Sequence, residues 1–263
     1  MEKSKEIESF YDRYDEWLRL ERHKVEFEIT KKYIDKYVPA NSRILDIGGG
    51  PGRYSIYLAS KGNKVVLLDL TKKHIEIAKE KALIYKVSLE EFIHGSALEL
   101  PKYNLGKFDV ILLMGPLYHL TKLSDRENVV RDTMALLKPG GILIASFISA
   151  YAPFLDIIKS RPEDLNDANQ LLKYLENGVN SEEEGFTSAY FIKPLEAKSF
   201  MSQFNLKELA FAGVEGLSSI VEQKINELPQ NIFEQHIEAI YRLSKDPNTF
   251  ASCEHYLYVG RKK

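Results

Sequence analysis

The chain has 263 residues, 44% of them hydrophobic and 28% charged, a balance that excludes wholesale disorder, a collagen-like repeat and a disulfide scaffold. Thirty-six Lys and Arg against 38 Asp and Glu leave a net charge of −2, which disfavours a globally basic nucleic-acid binder. Cys253 is the single cysteine, so neither an internal disulfide nor a multi-cysteine zinc site is available, as expected of a reducing cytoplasm.

Met1 to Glu6 mixes charges with no apolar run behind it, unlike a signal peptide. The longest apolar stretches, around 110–120 and 142–150, are too short to span a bilayer, so no membrane partner is expected. From Glu6 to Tyr37, apolar positions recur at helical spacing (Phe10, Tyr14, Trp17, Leu18, then Val25, Ile29, Tyr33 and Ile34), and Pro39 breaks the pattern. Arg43–Ile47 reads as a short apolar strand, and the cluster Gly48-Gly49-Gly50-Pro51-Gly52 follows it. A helix is expected from Arg53 to Ser60, a turn at Gly62-Asn63 and a second strand over Lys64–Asp69. Thr71 is placed to cap the next helix, through Ile75 and Ala78, whose lysines (Lys72, Lys73, Lys79, Lys81) read as a solvated face. Leu89–His94 and the almost wholly apolar Phe108–Met114 are the third and fourth strands. Ser124-Asp125-Arg126-Glu127 has the form of a capping box opening a helix to Leu137, and Lys138-Pro139-Gly140-Gly141 ends it before a fifth strand, Ile142–Phe147.

This alternation predicts an α/β, Rossmann-like doubly wound sheet. Lys207–Val214 and His255–Arg261 supply the last two of seven strands, with a helical block at 218–244 between them. The sheet is expected to be mostly parallel with an antiparallel last strand. The whole of 1–263 reads as one domain: a helical cap over 1–40, a core over 41–150, a helical lid insertion over 151–198 with an acidic run at Glu182-Glu183-Glu184, and C-terminal strands and helices over 199–263.

Glycines after a buried strand let the backbone turn sharply and approach a ligand, and the next helix points free N–H groups at it. A P-loop needs Lys then Ser or Thr after its last glycine, and Gly52 is followed by Arg53-Tyr54. The dinucleotide fingerprint lacks its third glycine whether it starts at Gly48 or Gly50.

Asp46-Ile47-Gly48-Gly49-Gly50-Pro51-Gly52 instead resembles the first motif of class I S-adenosylmethionine-dependent methyltransferases, D/E-x-G-x-G-x-G. Asp69 ends the second strand, 23 residues after Asp46, where a carboxylate can accept ribose hydroxyls. His94-Gly95-Ser96-Ala97 lies where the family's adenine loop often reads Gly-Asp-Ala, so Ser96 stands in for the acid. Met114-Gly115-Pro116-Leu117-Tyr118-His119-Leu120 resembles the G-P-L-Y-H-L signature of one bacterial subgroup, and the segments 186–191, 214–216 and 252–261 extend that likeness.

The resemblance implies S-adenosyl-L-methionine as cofactor, S-adenosyl-L-homocysteine as product and no metal. It assigns Asp46, Gly48, Gly49, Gly50, Gly52, Asp69, Leu70, Ser96, Ala97 and Met114 to the cofactor, and Tyr118, His119, Tyr190 and Glu215 to the acceptor pocket. His119 is either a general base or a packing histidine of its loop. Tyr11, Tyr14 and Trp17 are either a core stripe or, as N-terminal segments in the family imply, a cover that brings Tyr11 or Tyr14 to the cofactor. His74, His94 and His255 are scattered and show no metal-ligand spacing.

Methyl transfer to O, N or C of a small-molecule acceptor, by a monomer or homodimer, is the first reading. A tRNA methyltransferase of the wobble-uridine type is the second, and a non-catalytic S-adenosylmethionine-binding regulator is the alternative of another class. Fifteen Tyr and thirteen Phe accompany one Trp, and Tyr11, Tyr14, Tyr118, Phe186 and Tyr190 fall in the segments expected to cap the ligand end of the sheet.

Overall fold

The computed structural model describes residues 2–165, 168–181 and 186–263, so the acidic run at 182–184 lies outside the described residues. The N-terminal pattern, expected as one helical stretch, is three helices: α1 (Glu2–Arg13), α2 (Glu16–Arg22) and α3 (Lys24–Tyr37). Asp15 makes the first break, because its Oδ1 accepts from the Leu18 N–H at 3.0 Å and so starts a new helix. His23 makes the second with non-helical φ −107° and ψ 61°. Glu222, distant in sequence, accepts from His23 Nδ1 at 3.0 Å and from the Val25 N–H at 3.1 Å, placing a carboxylate at the N-terminus of α3.

The core follows as β1 (Arg43–Ile47), α4 (Arg53–Ser60), β2 (Lys64–Asp69), α5 (Lys72–Ile84), β3 (Glu91–His94), β4 (Phe108–Leu113), α6 (Pro116–His119), α7 (Leu123–Leu136) and β5 (Leu137–Ile148). Next come α8 (Ala152–Ser160), α9 (Ala168–Glu176), the short pair β6 (Val179–Asn180) and β7 (Ala189–Tyr190), and α10 (Pro194–Ser202). The chain ends with β8 (Leu206–Gly213), α11 (Glu222–Asn226), α12 (Gln230–Leu243) and β9 (His255–Lys262).

The main sheet has seven strands in the order β3-β2-β1-β4-β5-β9-β8. Pairing is parallel from β3 to β5, and β9 runs antiparallel to both β5 and β8. This is the doubly wound, mostly parallel sheet with an antiparallel last strand. Strand alternation divides the core into two layers. Leu45, Ile47, Ile111 and Leu113 face the α7 and α10 side with Val129 and Phe200. Ile44, Val110 and Leu112 face α3 and α12 with Ile29, Tyr33 and Ile237.

Two local expectations need correction. Helix α7 begins at Leu123, and its N-cap Lys122 makes no side-chain capping bond, so Ser124 forms no capping box. The entry is held instead by Arg126, whose guanidinium donates to Leu120 O at 2.6 Å and Thr121 O at 3.0 Å. Thr71 does sit at the N-cap of α5, but its hydroxyl makes no cap bond; its N–H donates to Asp69 Oδ1 at 2.8 Å. The described part of 151–198 has a small core of its own, Tyr174, Ala189 and Phe191, packed on Ile148 and Ala150 at the end of β5 and on Tyr118 of α6. Among the described residues, no helix is long and apolar enough to cross a membrane.

Candidate active site

From β1 the chain winds outward through β2 and β3, then returns to place β4 on the other side of β1. The reversal opens a crevice outside the carboxyl ends of β1 and β4, where ligands bind in such sheets. A cavity of about 500 Å³ occupies it, lined by the glycine loop, the ends of β2 and β4, the loop after β3, and α1 and α2.

The glycine loop forms the floor. Gly48 has φ +70° and donates to Leu68 O at 2.7 Å, and a Cβ there would lie 2.6 Å from Pro116 Cδ. Gly49 lies against Asp46, whose Oδ2 would be 2.5 Å from a Cβ. Asp46 itself is 1% exposed, accepts from Ser55 Oγ at 2.7 Å, and is pushed up to about 7 chiefly by burial. Gly50 has φ +56°, and a Cβ there would meet nothing closer than Glu16 Cγ at 3.6 Å, so its cradle opens on the cavity. Gly52, the N-cap of α4, lies behind the loop and off the cavity wall.

Asp69 stands at the end of β2 and is buried. Its Oδ2 accepts from the Gly50 N–H at 2.8 Å, and its Oδ1 accepts from the Thr71 N–H at 2.8 Å and from His74 Nδ1 at 3.1 Å. A carboxylate offers about four acceptor directions, so roughly one remains, on Oδ2. Leu70, Ser96 and Ala97 continue the same wall. Ser96 Oγ already accepts from the Leu98 N–H at 3.2 Å and so caps its own turn.

Met114, Tyr118 and His119 line the far side. The Tyr118 hydroxyl donates to Met114 O at 3.0 Å. His119 Nδ1 lies 3.0 Å from Thr187 Oγ1, and the Thr187 hydroxyl donates to Ser188 O at 3.2 Å. With its proton directed there, Thr187 accepts from Nδ1, which leaves Nε2 to accept from the Tyr11 hydroxyl at 2.9 Å. Burial holds His119 down at about 4, so the ring is neutral at pH 7.

Helix α1 lies over part of the cavity. Ile7 and Tyr11 face inward. Glu6 accepts from the Ser188 N–H at 2.5 Å and from Ser188 Oγ at 2.9 Å, Phe10 packs edge-on against Phe186 at 5.3 Å, and Lys73 Nζ donates to Asp12 O. The lysine face of α5 is therefore partly engaged: Lys73 holds α1, and Lys81 lies 4.8 Å from the ring of Trp17.

Of the residues read from sequence, Asp46, Gly48, Gly49, Gly50, Asp69, Leu70, Ser96, Ala97, Met114, Tyr118, His119 and Tyr11 meet at this cavity. Three side chains do not line it. Tyr14 stacks on Phe10 at 5.5 Å, and its hydroxyl accepts from Arg22. Tyr190 lies under the Arg126 guanidinium at 3.7 Å. Glu215 is 1% exposed, with its carboxylate taken by the Glu254 and His255 N–H groups and by His255 Nδ1 at 2.6 Å.

The cavity also holds residues that sequence reasoning passed over: Glu16, Arg19 and His74. Arg19 donates to Glu16 at 2.6 Å and grips Glu26 with two bonds of 2.7 and 3.0 Å. Glu26, held down at about 2 against burial by Arg19 and His255, continues a buried charge chain to His255 and Glu215. Oxygen and nitrogen atoms of Glu26, Glu215 and His255 come within 4.8 Å of one another. His255 is raised to about 9 by the two carboxylates, which outweigh its burial, so the group reads as a compensated ion-pair chain.

Residues 44–141 match the family model described as "Methyltransferase domain". The chain is 30% identical to a ubiquinone biosynthesis O-methyltransferase of Vibrio parahaemolyticus over 65% of this chain and 66% of that protein. It is 31% identical to a demethylmenaquinone methyltransferase of Oceanobacillus iheyensis over 52% of this chain and 58% of that one. It is also 33% identical to the tRNA 5-carboxymethoxyuridine methyltransferase of Escherichia coli over 43% of this chain and 42% of that protein. The aligned shares of these relatives thus range from about two fifths to just under two thirds.

Among solved structures, the N-methyltransferase NodS of Bradyrhizobium japonicum, in complex with S-adenosyl-L-homocysteine, superposes with TM-score 0.60 at 14% identity, covering 97% of this chain and 98% of that one. A methyltransferase of Thermotoga maritima, described as a possible histamine N-methyltransferase, gives TM-score 0.60 at 18% identity over 98% of both chains. At these identities the likeness is one of fold. The fold is that of the Rossmann-like methyltransferases, and residues 44–141 are similar to the methyltransferase-domain model.

Proposed function

We propose that the protein is an S-adenosyl-L-methionine-dependent methyltransferase acting on a small-molecule acceptor, and that 1–263 works as one unit with 1–40 as cap, 41–150 as core, 151–198 as lid and 199–263 completing the sheet. The observation that carries this is the single cavity wall joining an open glycine cradle, the strand-end Asp69 and the Tyr118–His119 turn. The residues fit the cofactor: Gly50 leaves room above the loop, and Asp69 keeps an acceptor direction for a ribose hydroxyl. Leu70, Ser96 and Ala97 would flank the base, and Gly48–Gly50 the amino-acid end.

When bound, the cofactor supplies a methyl group already activated on a sulfonium. The protein's part is then to orient the acceptor and exclude water, which favours transfer through proximity. Tyr11 and α1 cover the cavity, and neutral His119 offers Nε2 as a hydrogen-bond acceptor to Tyr11 or, in its place, to an acceptor O–H or N–H. No step calls for a metal.

The covered cavity favours a small acceptor over a polynucleotide. The longer alignment with the quinone-pathway relative than with the tRNA relative agrees with that choice. A soluble cytoplasmic enzyme, monomeric or homodimeric, is part of the same reading. Calorimetry with S-adenosyl-L-homocysteine is the first test, and absence of binding would refute the cofactor and the activity together. Methyl transfer assayed against phenolic and amine metabolites and against bulk tRNA then decides the acceptor class; transfer to tRNA alone would overturn the small-molecule reading.

A further inference from the structure

Thr187 lies between β6 and β7 in the 151–198 insertion and is 1% exposed. Its carbonyl accepts from Asn180 Nδ2 at 3.0 Å, and Asn180 Oδ1 accepts from the Tyr174 hydroxyl at 3.2 Å, so the residue is anchored to the insertion's own core. Its two neighbours hold α1, Phe186 against Phe10 and Ser188 on Glu6. The Thr187 side chain reaches His119 instead, at the ring nitrogen opposite the one that meets Tyr11. In a neutral imidazole one nitrogen donates and the other accepts, and a bond at one fixes the role of the other.

The bonds through this ring run in one direction. The Thr187 proton goes to Ser188 O, so Oγ1 accepts from Nδ1–H, and Nε2 keeps its lone pair for the Tyr11 hydroxyl. Hydrogen bonding by the Ser188 backbone acts to raise His119 against its burial, as a carbonyl does when the ring donates. The chain ends on that carbonyl, which has no proton to return, so its direction holds for as long as Thr187 keeps the bond. His119 stands on α6 of the core and lines the cavity, whereas Thr187 is buried behind it.

We propose that Thr187 is a positioning residue for His119: its hydroxyl fixes the Nδ1–H tautomer and thereby presents Nε2 to the cavity as a hydrogen-bond acceptor. This rests on the reading of His119 as the group that meets the acceptor's O–H or N–H. In that reading Nε2 takes the proton while the acceptor atom bonds the methyl carbon and the carbon–sulfur electron pair goes to sulfur; Nδ1–H stays on Thr187. The opposite tautomer would put a donor into the cavity, with no lone pair to receive that proton.

Nitrogen-15 NMR of the ligand-free protein, labelled at histidine, reads the tautomer directly, with the His119 signals identified by their loss in His119→Ala. In the native protein at pH 7, Nδ1 should show the shift of a protonated nitrogen and Nε2 that of an unprotonated one. Thr187→Ser keeps the hydroxyl and should give the same pattern. Thr187→Val keeps the volume without the hydroxyl and should move the tautomer ratio about tenfold toward Nε2–H, the scale of one hydrogen bond. A native ring protonated on Nε2 overturns the proposal. So does an unchanged pattern in Thr187→Val, which would mean that the Ser188 carbonyl alone sets the ring. With the acceptor selected by the methyl-transfer assay, Thr187→Val should lower kcat about tenfold at unaltered KM for S-adenosyl-L-methionine, and Thr187→Ser should retain most of the rate; native kcat in Thr187→Val removes the role. Failure of the native protein to bind S-adenosyl-L-homocysteine would overturn the methyltransferase reading instead, and the ring signature, read without ligand, separates the two failures.

Discussion

Asp69 is held by three donors on two elements, so its carboxylate meets a ligand already oriented. Asp69→Ala should weaken S-adenosyl-L-homocysteine by tenfold or more in calorimetry, since it removes a charge-assisted hydrogen bond worth about 1.5–3 kcal/mol. An unchanged affinity would refute the ribose role. His119 gives a second expectation. Burial keeps it neutral until the pH approaches about 4, so a rate that depends on its free Nε2 should show its acid limb near pH 4, well below the 6–7 expected of a solvated imidazole. His119→Ala should abolish turnover while leaving cofactor affinity unchanged; turnover at the native rate would remove His119 from the chemistry. The placement of Asp69 and Gly48–Gly50 at the cavity was legible in sequence because their geometry is local, a strand end and a turn, while Gly52 falls off the wall. The bond from His74 to Asp69 was not, since it depends on how the first turn of α5 presents the ring. Glu215 misled for the opposite reason: it lies next to β8 as expected, yet its carboxylate turns into the protein to meet His255.

Helix α1 is fastened at its contacts more than it is buried. Ile7 is its one buried apolar residue among those described, while Glu6, Phe10, Tyr11 and Asp12 reach Ser188, Phe186, His119 and Lys73. Deleting residues 1–13 should therefore shift the melting temperature by only a few degrees, the scale of about 1 kcal/mol in a protein of this size. The same deletion should weaken S-adenosyl-L-homocysteine by about tenfold or more, because the cavity loses its cover; native affinity in the truncated protein would show that α1 is no part of the site. Periodicity found the apolar faces of this region but not the breaks at Asp15 and His23. Asp15 reads equally well as an exposed helical residue until its side chain is seen on the Leu18 N–H. The box at Ser124 failed because capping depends on backbone angles that residue types do not fix, and Arg126 had already secured the turn.

At the scale of the molecule, the Arg19–Glu26–His255–Glu215 chain ties the N-terminal helices to β9 and to the loop after β8. His255 is raised from about 6.5 to about 9, so its contribution to stability is complete below pH 6.5 and is lost as pH rises through 9. Glu26, lowered to about 2, acts on the other side: its contribution is present above pH 4.5 and lost as pH falls toward 2. The melting temperature should therefore drop between pH 7 and 9.5, by on the order of 5 °C. His255→Gln should flatten that slope whatever it does to the absolute value, and an unaltered slope would assign the titration elsewhere. The parallel half of the sheet was legible because strands and helices alternate from Arg43 to Ile148, whereas the order of those strands was not read. The antiparallel last strand was expected, but its insertion between β5 and β8 depends on pairings between distant segments that the strand pattern does not reveal.

Tyr11 touches His74 on one side, at 5.1 Å between ring centres, and His119 on the other, at 5.5 Å. The glycine-loop side and the Tyr118–His119 side of the cavity thus share one covering residue. In the methyl transfer proposed above, a movement of α1 would change access to both sides at once, so that release of the demethylated cofactor and of the methylated product would be coupled through one helix.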